Sequence, residues 1–248
     1  MFHIIRNDPE VPPGNIATNL RDMGIPVRVC HPYRNEPLPL PEETQGLIVL
    51  GGAMCANDDQ RHPFLVQVKG LIRETVAHGI PYLGVCLGGQ LLAAAMGGRV
   101  AANRWGELGM LEVELTAAGR GDRLFAGLSP RHATFQWHHD SFDIPGEGIL
   151  LAASPACPHQ AFRIGPCAWG VQFHPEMTEE IIRAWCARDR ATRGRADELV
   201  AAWQAEAAYD PTARRLLENF VQAALLFAQS GRMQCAPTPG FAKGARGT

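Results

Sequence analysis

A chain of 248 residues with a formal net charge of −2 and 19% charged residues gives no electrostatic reason to expect nucleic acid or an anionic membrane as a partner. Its length suits one α/β domain with a substantial core, and no apolar run approaches the roughly 18–20 residues that cross a bilayer. The N-terminus lacks the long apolar stretch of a secretory signal. Seven cysteines at irregular spacing read as reduced thiols of a cytoplasmic protein rather than a disulfide or zinc framework.

Residues 2–6 (Phe-His-Ile-Ile-Arg) and 25–30 (Ile-Pro-Val-Arg-Val-Cys) are short β-prone runs. Between them Ile16, Leu20 and Met23 fall at helical spacing over 14–23. A continuous apolar run at 46–50 halts at Gly51-Gly52. An amphipathic segment over 65–78 follows, with Leu65, Val68, Leu71, Ile72 and Val76 on one face and Gly79 placed to cap it. A strand at 82–85 leads into Cys86 and a helix over 88–96, closed by Gly97-Gly98. Strands alternating with helices predict a parallel sheet covered on both faces. Uninterrupted hydrophobicity at 47–50 and 82–85 agrees, because such strands are buried on both sides.

From 108 to about 173 the texture changes. Short β-like runs at 109–115, 133–137, 148–153 and 167–173 predict an antiparallel extension of the same sheet. Helices are predicted over 178–190 and 196–229. Residues 231–248, rich in Gly and Pro, read as a flexible C-terminal tail, which leaves 1–230 as one domain. The expected architecture is a three-layer α/β sandwich with a mostly parallel central sheet.

Two stretches carry chemistry. In Pro81-Tyr-Leu-Gly-Val-Cys86-Leu-Gly-Gly-Gln90 an apolar strand ends in a cysteine and turns through small residues into a helix. A helix N-terminus lowers thiol pKa, and Gly84 and Gly88 allow the tight turn of a nucleophile elbow. The Leu87 amide would then serve as an oxyanion donor. Cysteine is often merely packed, and the other six are read that way. Cys55 stands next, because it lies just beyond a second glycine turn.

The second stretch, Gly170-Val-Gln-Phe-His174-Pro-Glu176, is expected to hold His174 and Glu176 on one face of a strand, two positions apart. The carboxylate would fix the imidazole tautomer and leave the other nitrogen to take a thiol proton. Taken alone, the pair is equally a surface histidine beside a carboxylate. Metal ligation is a weaker alternative, since no third ligand sits at recognisable spacing, and no metal or cofactor is expected.

Together, Gly-Val-Cys86-Leu-Gly-Gly-Gln90 and Gln-Phe-His174-Pro-Glu176 resemble the two signatures of the class I, triad-type glutamine amidotransferases. Leu50-Gly51-Gly52 resembles that family's glycine turn, although Ala53 stands where the family often has proline. Gly-Gly-Ala-Met54 and Phe135-Gln-Trp-His138-His139-Asp140 bring the texture nearest to free-standing proteins similar to the glutaminase domain of GMP synthase. The resemblance implies a flavodoxin-like class I glutaminase fold. It assigns Cys86 as nucleophile, His174 as base and Glu176 as orienting acid. Backbone amides of Gly52 and Leu87 would form the oxyanion hole, and Gln90, His138, His139 and Asp140 would contact the substrate.

The implied reaction is cleavage of a γ-glutamyl amide through a cysteinyl thioester, releasing ammonia or an amine. Nothing after residue 185 resembles an ATP-pyrophosphatase, so a separate synthase subunit is one expected partner and a γ-glutamyl small molecule such as glutamine the other. A self-contained γ-glutamyl hydrolase and a non-catalytic binding protein that keeps the fold are the alternatives. An α/β-hydrolase ranks lower, because its acid precedes its histidine along the chain.

Overall fold

In the computed structural model, which describes residues 1–229, the predicted alternation is present. β1 (Phe2–Ile5), α1 (Gly14–Asp22), β2 (Val27–Cys30), β3 (Gly46–Val49), α2 (Phe64–Ala77), β4 (Tyr82–Val85) and α3 (Leu87–Ala95) follow in turn. Beyond them come β5 (Val100–Ala101), β6 (Glu107–Leu115), α4 (Ala117–Arg120), β7 (Arg131–His138) and β8 (Ser141–Phe142). The last elements are β9 (Ile149–Ala153), β10 (Ala161–Ile164), β11 (Ala168–Val171), α5 (Glu179–Arg188), α6 (Ala196–Ala205) and α7 (Tyr209–Gln229). The tail expected over 231–248 lies outside the described residues.

One sheet runs in the order β2-β1-β3-β4-β11-β10-β9-β6-β7. Pairings from β2 through β11 are parallel, and those from β11 to β7 are antiparallel. Strands β1, β3, β4 and β11 are buried along their whole length, which accounts for a sequence that is apolar or glycine at every position but His3. Alternate residues divide between two cores. Ile4, Ile48, Leu83 and Trp169 meet Ile16 and Leu20 of α1 and Leu216 and Phe220 of α7. Leu47, Val49 and Tyr82 meet Leu65, Val68 and Ile72 of α2 and Leu91 and Leu92 of α3. Each such side chain contributes roughly 1.5–3 kcal/mol by leaving water.

Two expectations need correction. The helix expected over 196–229 is two helices, α6 and α7, with residues 206–208 between them. Pro211 explains the break. In the first turn of α7 its missing N–H costs nothing, whereas inside a continuous helix it would lose a bond and clash with the carbonyl four residues earlier. Second, β11 ends at Val171, so His174 and Glu176 are not on a strand. His174 instead makes a single antiparallel bridge to Phe135 of β7. Strands β5, β8 and β10 were not anticipated. The first two are only two residues long each, and β10 lies between turns too close together to show a period.

Candidate active site

Cys86 sits between β4 and α3 with φ 51° and ψ −109°, a region that L-residues occupy at a cost of about 1–3 kcal/mol. Backbone bonds hold it there. Its N–H donates to Val171 O at 2.8 Å, and its carbonyl accepts from Gln90 N–H at 3.0 Å. The turn needs small neighbours: a Cβ at Gly84 would lie 2.4 Å from the Gly88 carbonyl, and one at Gly88 would lie 2.0 Å from Val49 O. The residue is 7% exposed and lines the main cavity. Gln172 Nε2 is 3.6 Å from Sγ and the Trp137 carbonyl is 4.0 Å away.

His174 reaches the same place by a different route. Because β4 and β11 are parallel, with Val85 beside Val171, the segment leaving β11 emerges next to Cys86. His174 N–H donates to Phe135 O at 2.9 Å, and the Tyr209 hydroxyl donates to His174 O at 2.7 Å. Asn15 N–H donates to Glu176 O at 2.9 Å, so α1 and α7 both brace the loop. The side chains of His174 and Glu176 meet at 2.7 Å (Nδ1 to Oε1), with Glu176 wholly buried. The buried Nε2 of His174 has no hydrogen-bond partner among the described residues. A side chain at Gly51 would touch His174 Cε1 at 3.4 Å and Cys86 Cβ at 3.6 Å, so the two converge on one point.

Burial alone would depress the His174 pKa. The Glu176 carboxylate and the Cys86 sulfur together outweigh it and hold the imidazole well above its ordinary 6.5.

The glycine turn after β3 is fixed from β1. Asn7 Nδ2 donates to Leu50 O at 2.8 Å, and Asp8 accepts from Ala53 N–H at 3.0 Å and Glu10 N–H at 2.8 Å. A Cβ at Gly52 would meet Leu87 Cδ2 at 2.8 Å, so this turn packs on the first residue of α3.

A cavity of about 570 Å³ opens where β1, β3, β4 and β11 end, the position that open α/β sheets use for ligands. Gly52, Cys86, Gln90, His138, His139, Asp140 and His174 line it. Glu176 lies behind His174, and Leu87 begins α3. Gln90 Nε2 donates to Asp140 O at 3.2 Å, and Asp140 Oδ1 accepts from Asn103 N–H at 3.0 Å. His138 is committed to the protein: its Nδ1 lies 3.2 Å from Asp140 O and its Nε2 3.2 Å from Glu107. Glu107 stands directly opposite it in the β6–β7 register. His139 is exposed.

Among the described residues, Glu107, His138 and Cys157 form a group whose ligand atoms lie within 4.8 Å of one another. The Glu107 carboxylate is already taken up by His138, Ser154 and Gln160, so the group reads as a hydrogen-bonded network. Sequence reasoning missed Asp8, Asn103, Gln172 and Trp185. A polar pair just after an apolar strand, Asn7-Asp8, was the one available signal; Trp185 gave none.

The family described as glutamine amidotransferase class-I matches residues 14–184 of this chain. The glutamine amidotransferase-like protein YfeJ of Salmonella typhimurium is 29% identical over 165 residues, 65% of this chain and 69% of that protein. A glutamine-hydrolyzing GMP synthase subunit of Methanococcoides burtonii is 30% identical over 164 residues, 65% of this chain and 80% of that one. The crystal structure of a glutamine amidotransferase from Thermotoga maritima superimposes with a TM-score of 0.81 at 29% identity, covering 89% of this chain and 97% of that one. The chain belongs to the class I glutamine amidotransferase family.

Proposed function

We propose that this protein cleaves a γ-glutamyl amide through a thioester on Cys86, in the manner of a glutaminase. One observation carries the reading: a cysteine at a strained strand-to-helix turn shares a cavity with a buried His174–Glu176 pair.

The Cys86 thiolate attacks the amide carbonyl, and the oxyanion rests on the Gly52 and Leu87 amides. The Leu87 amide opens α3, where helix N–H groups lack internal partners. In the glycine turn the Ala53 amide is already bound by Asp8, which favours Gly52 as the second donor. His174 gives a proton from Nε2 to the departing nitrogen, and the C–N bond breaks. The neutral imidazole then takes a proton from water as its oxygen attacks the thioester; the C–S bond breaks and glutamate leaves. Glu176 holds the imidazole's orientation and balances its charge. Gln90 and Asp140 orient the amino-acid end of the substrate, with His139 at the rim and His138 acting through Asp140.

Relatives that include glutamine-hydrolyzing GMP synthase subunits favour glutamine as substrate and a separate synthase as receiver of ammonia. The size of the cavity favours a second reading, a γ-glutamyl hydrolase acting alone on a larger conjugate. A reducing cytoplasm suits either, since none of the six described cysteines is disulfide-bonded. Among the described residues no helix is long and apolar enough to cross a membrane.

The test compares the purified protein with Cys86→Ala on glutamine and on γ-glutamyl methylamide, with and without a candidate synthase. The substitution is expected to lower kcat/KM at least about a thousandfold, since members of such a set act as a unit. Equal rates would remove the thioester from the account.

A further inference from the structure

The cavity has a wall that hydrolysis of glutamine itself does not use. Trp137 and Trp185, both half-buried, line it beside Cys86 and His174. Their rings meet edge to face at 5.4 Å, and Trp185 lies 5.2 Å from the His174 ring. The indole N–H of Trp185 is bound to Glu10 O at 2.8 Å, so its polar edge is satisfied and its apolar surface remains for contact.

The direction of the chemistry decides what meets this wall. The leaving nitrogen takes its proton from His174, so any substituent on that nitrogen lies on the imidazole's side of the cavity. The amino-acid end belongs with the other group, Gln90, Asn103 and Asp140, which hydrogen-bond among themselves. Ammonia leaving from glutamine would have no group to set against two indoles. A cavity of about 570 Å³ also falls in the roughly 300–1,000 Å³ range that holds drug-sized ligands.

Beside the indoles, Arg188 is the one arginine or lysine among the described residues of the lining, and it is paired with Glu10, so the aromatic faces are what this wall adds to the cavity.

We propose that Trp137 and Trp185 form a subsite for the leaving group, and that the preferred substrate is a secondary γ-glutamyl amide whose amine carries an apolar or aromatic substituent. This rests on the γ-glutamyl hydrolysis proposed above and names its substrate class. Attack by Cys86 breaks the amide C–N bond, the substituted amine departs with the His174 proton, and water completes the release of glutamate.

The test measures kcat/KM for the wild-type protein on glutamine, γ-glutamyl methylamide, γ-glutamyl benzylamide, γ-glutamyl-4-aminobutyrate and mono-γ-glutamyl-putrescine. The benzylamide is expected to exceed glutamine and methylamide by at least about tenfold, the discrimination that apolar pocket contacts supply. Its advantage over glutamine should shrink by a similar factor in Trp185→Ala and be largely restored in Trp185→Phe. A flat series, or one led by the anionic or cationic amide, overturns the subsite while leaving γ-glutamyl hydrolysis intact. Equal losses on all substrates in Trp185→Ala would reassign the indole to supporting His174 and also overturn it. If the wild type hydrolyses none of the five, alone or with a candidate synthase, the underlying reading has failed instead.

Discussion

At the residue scale the behaviour of His174 follows from its neighbours. Its pKa is held well above 6.5 against the depressing effect of burial, chiefly by Glu176 and then by Cys86. A group whose folded pKa is raised contributes stability that is fully present below its unfolded pKa and is lost as pH rises through the folded value. In the proposed mechanism the same proton is handed to the leaving amine, so acylation is expected to be sustained through neutrality and to fall on the alkaline side. Replacing Glu176 by Gln removes the largest raising influence and leaves burial dominant. The alkaline limb of kcat/KM should then move to lower pH, with activity at neutrality reduced at least about tenfold. An unmoved limb would show that Glu176 does not set the imidazole's charge. That Cys86, His174 and Glu176 stand together was expected from the sequence, because the proposed chemistry calls for those residue types. Asp8 offered only the polar pair it forms with Asn7 after an apolar run, since its contact with Ala53 crosses a gap that leaves no spacing to read.

Elements position these residues through close backbone contact. At Gly88 two effects oppose each other when Ala is introduced. Helix propensity favours Ala by about 1 kcal/mol, but a Cβ 2.0 Å from Val49 O forces α3 away from β3, and overpacking of this kind costs typically 1–3 kcal/mol or more. The clash should win: Gly88→Ala is expected to lower the urea midpoint and to impair hydrolysis together, because the same shift moves the elbow. A variant as stable and active as the parent would mean that the turn is looser than its geometry implies. The glycines were readable in sequence as signs of a tight turn. The placement of His174 by a bridge to Phe135 was not, because a single pairing between distant parts of the chain has no periodicity. Division of the final helical region into α6 and α7 was in principle readable from Pro211, which a long apolar pattern masked.

On the scale of the whole molecule, the parallel half of the sheet supplies the ends of β1, β3, β4 and β11, and the antiparallel half brings the segment from Trp137 to Asp140 over them. Buried parallel strands announce themselves as unbroken apolar runs, so that half of the fold was clear from the sequence. Short two-stranded pieces such as β5 and β8 carry too few residues for any pattern to form. In the proposed reaction glutamate passes through a covalent bond to Cys86. The most direct measurement is peptide mass spectrometry after acid quenching of the protein turning over γ-glutamyl methylamide. A γ-glutamyl adduct is expected on the peptide containing Cys86, lost when excess hydroxylamine is added before the quench. Steady turnover with no adduct on that peptide, and undiminished turnover in Cys86→Ala, would contradict the proposed reaction.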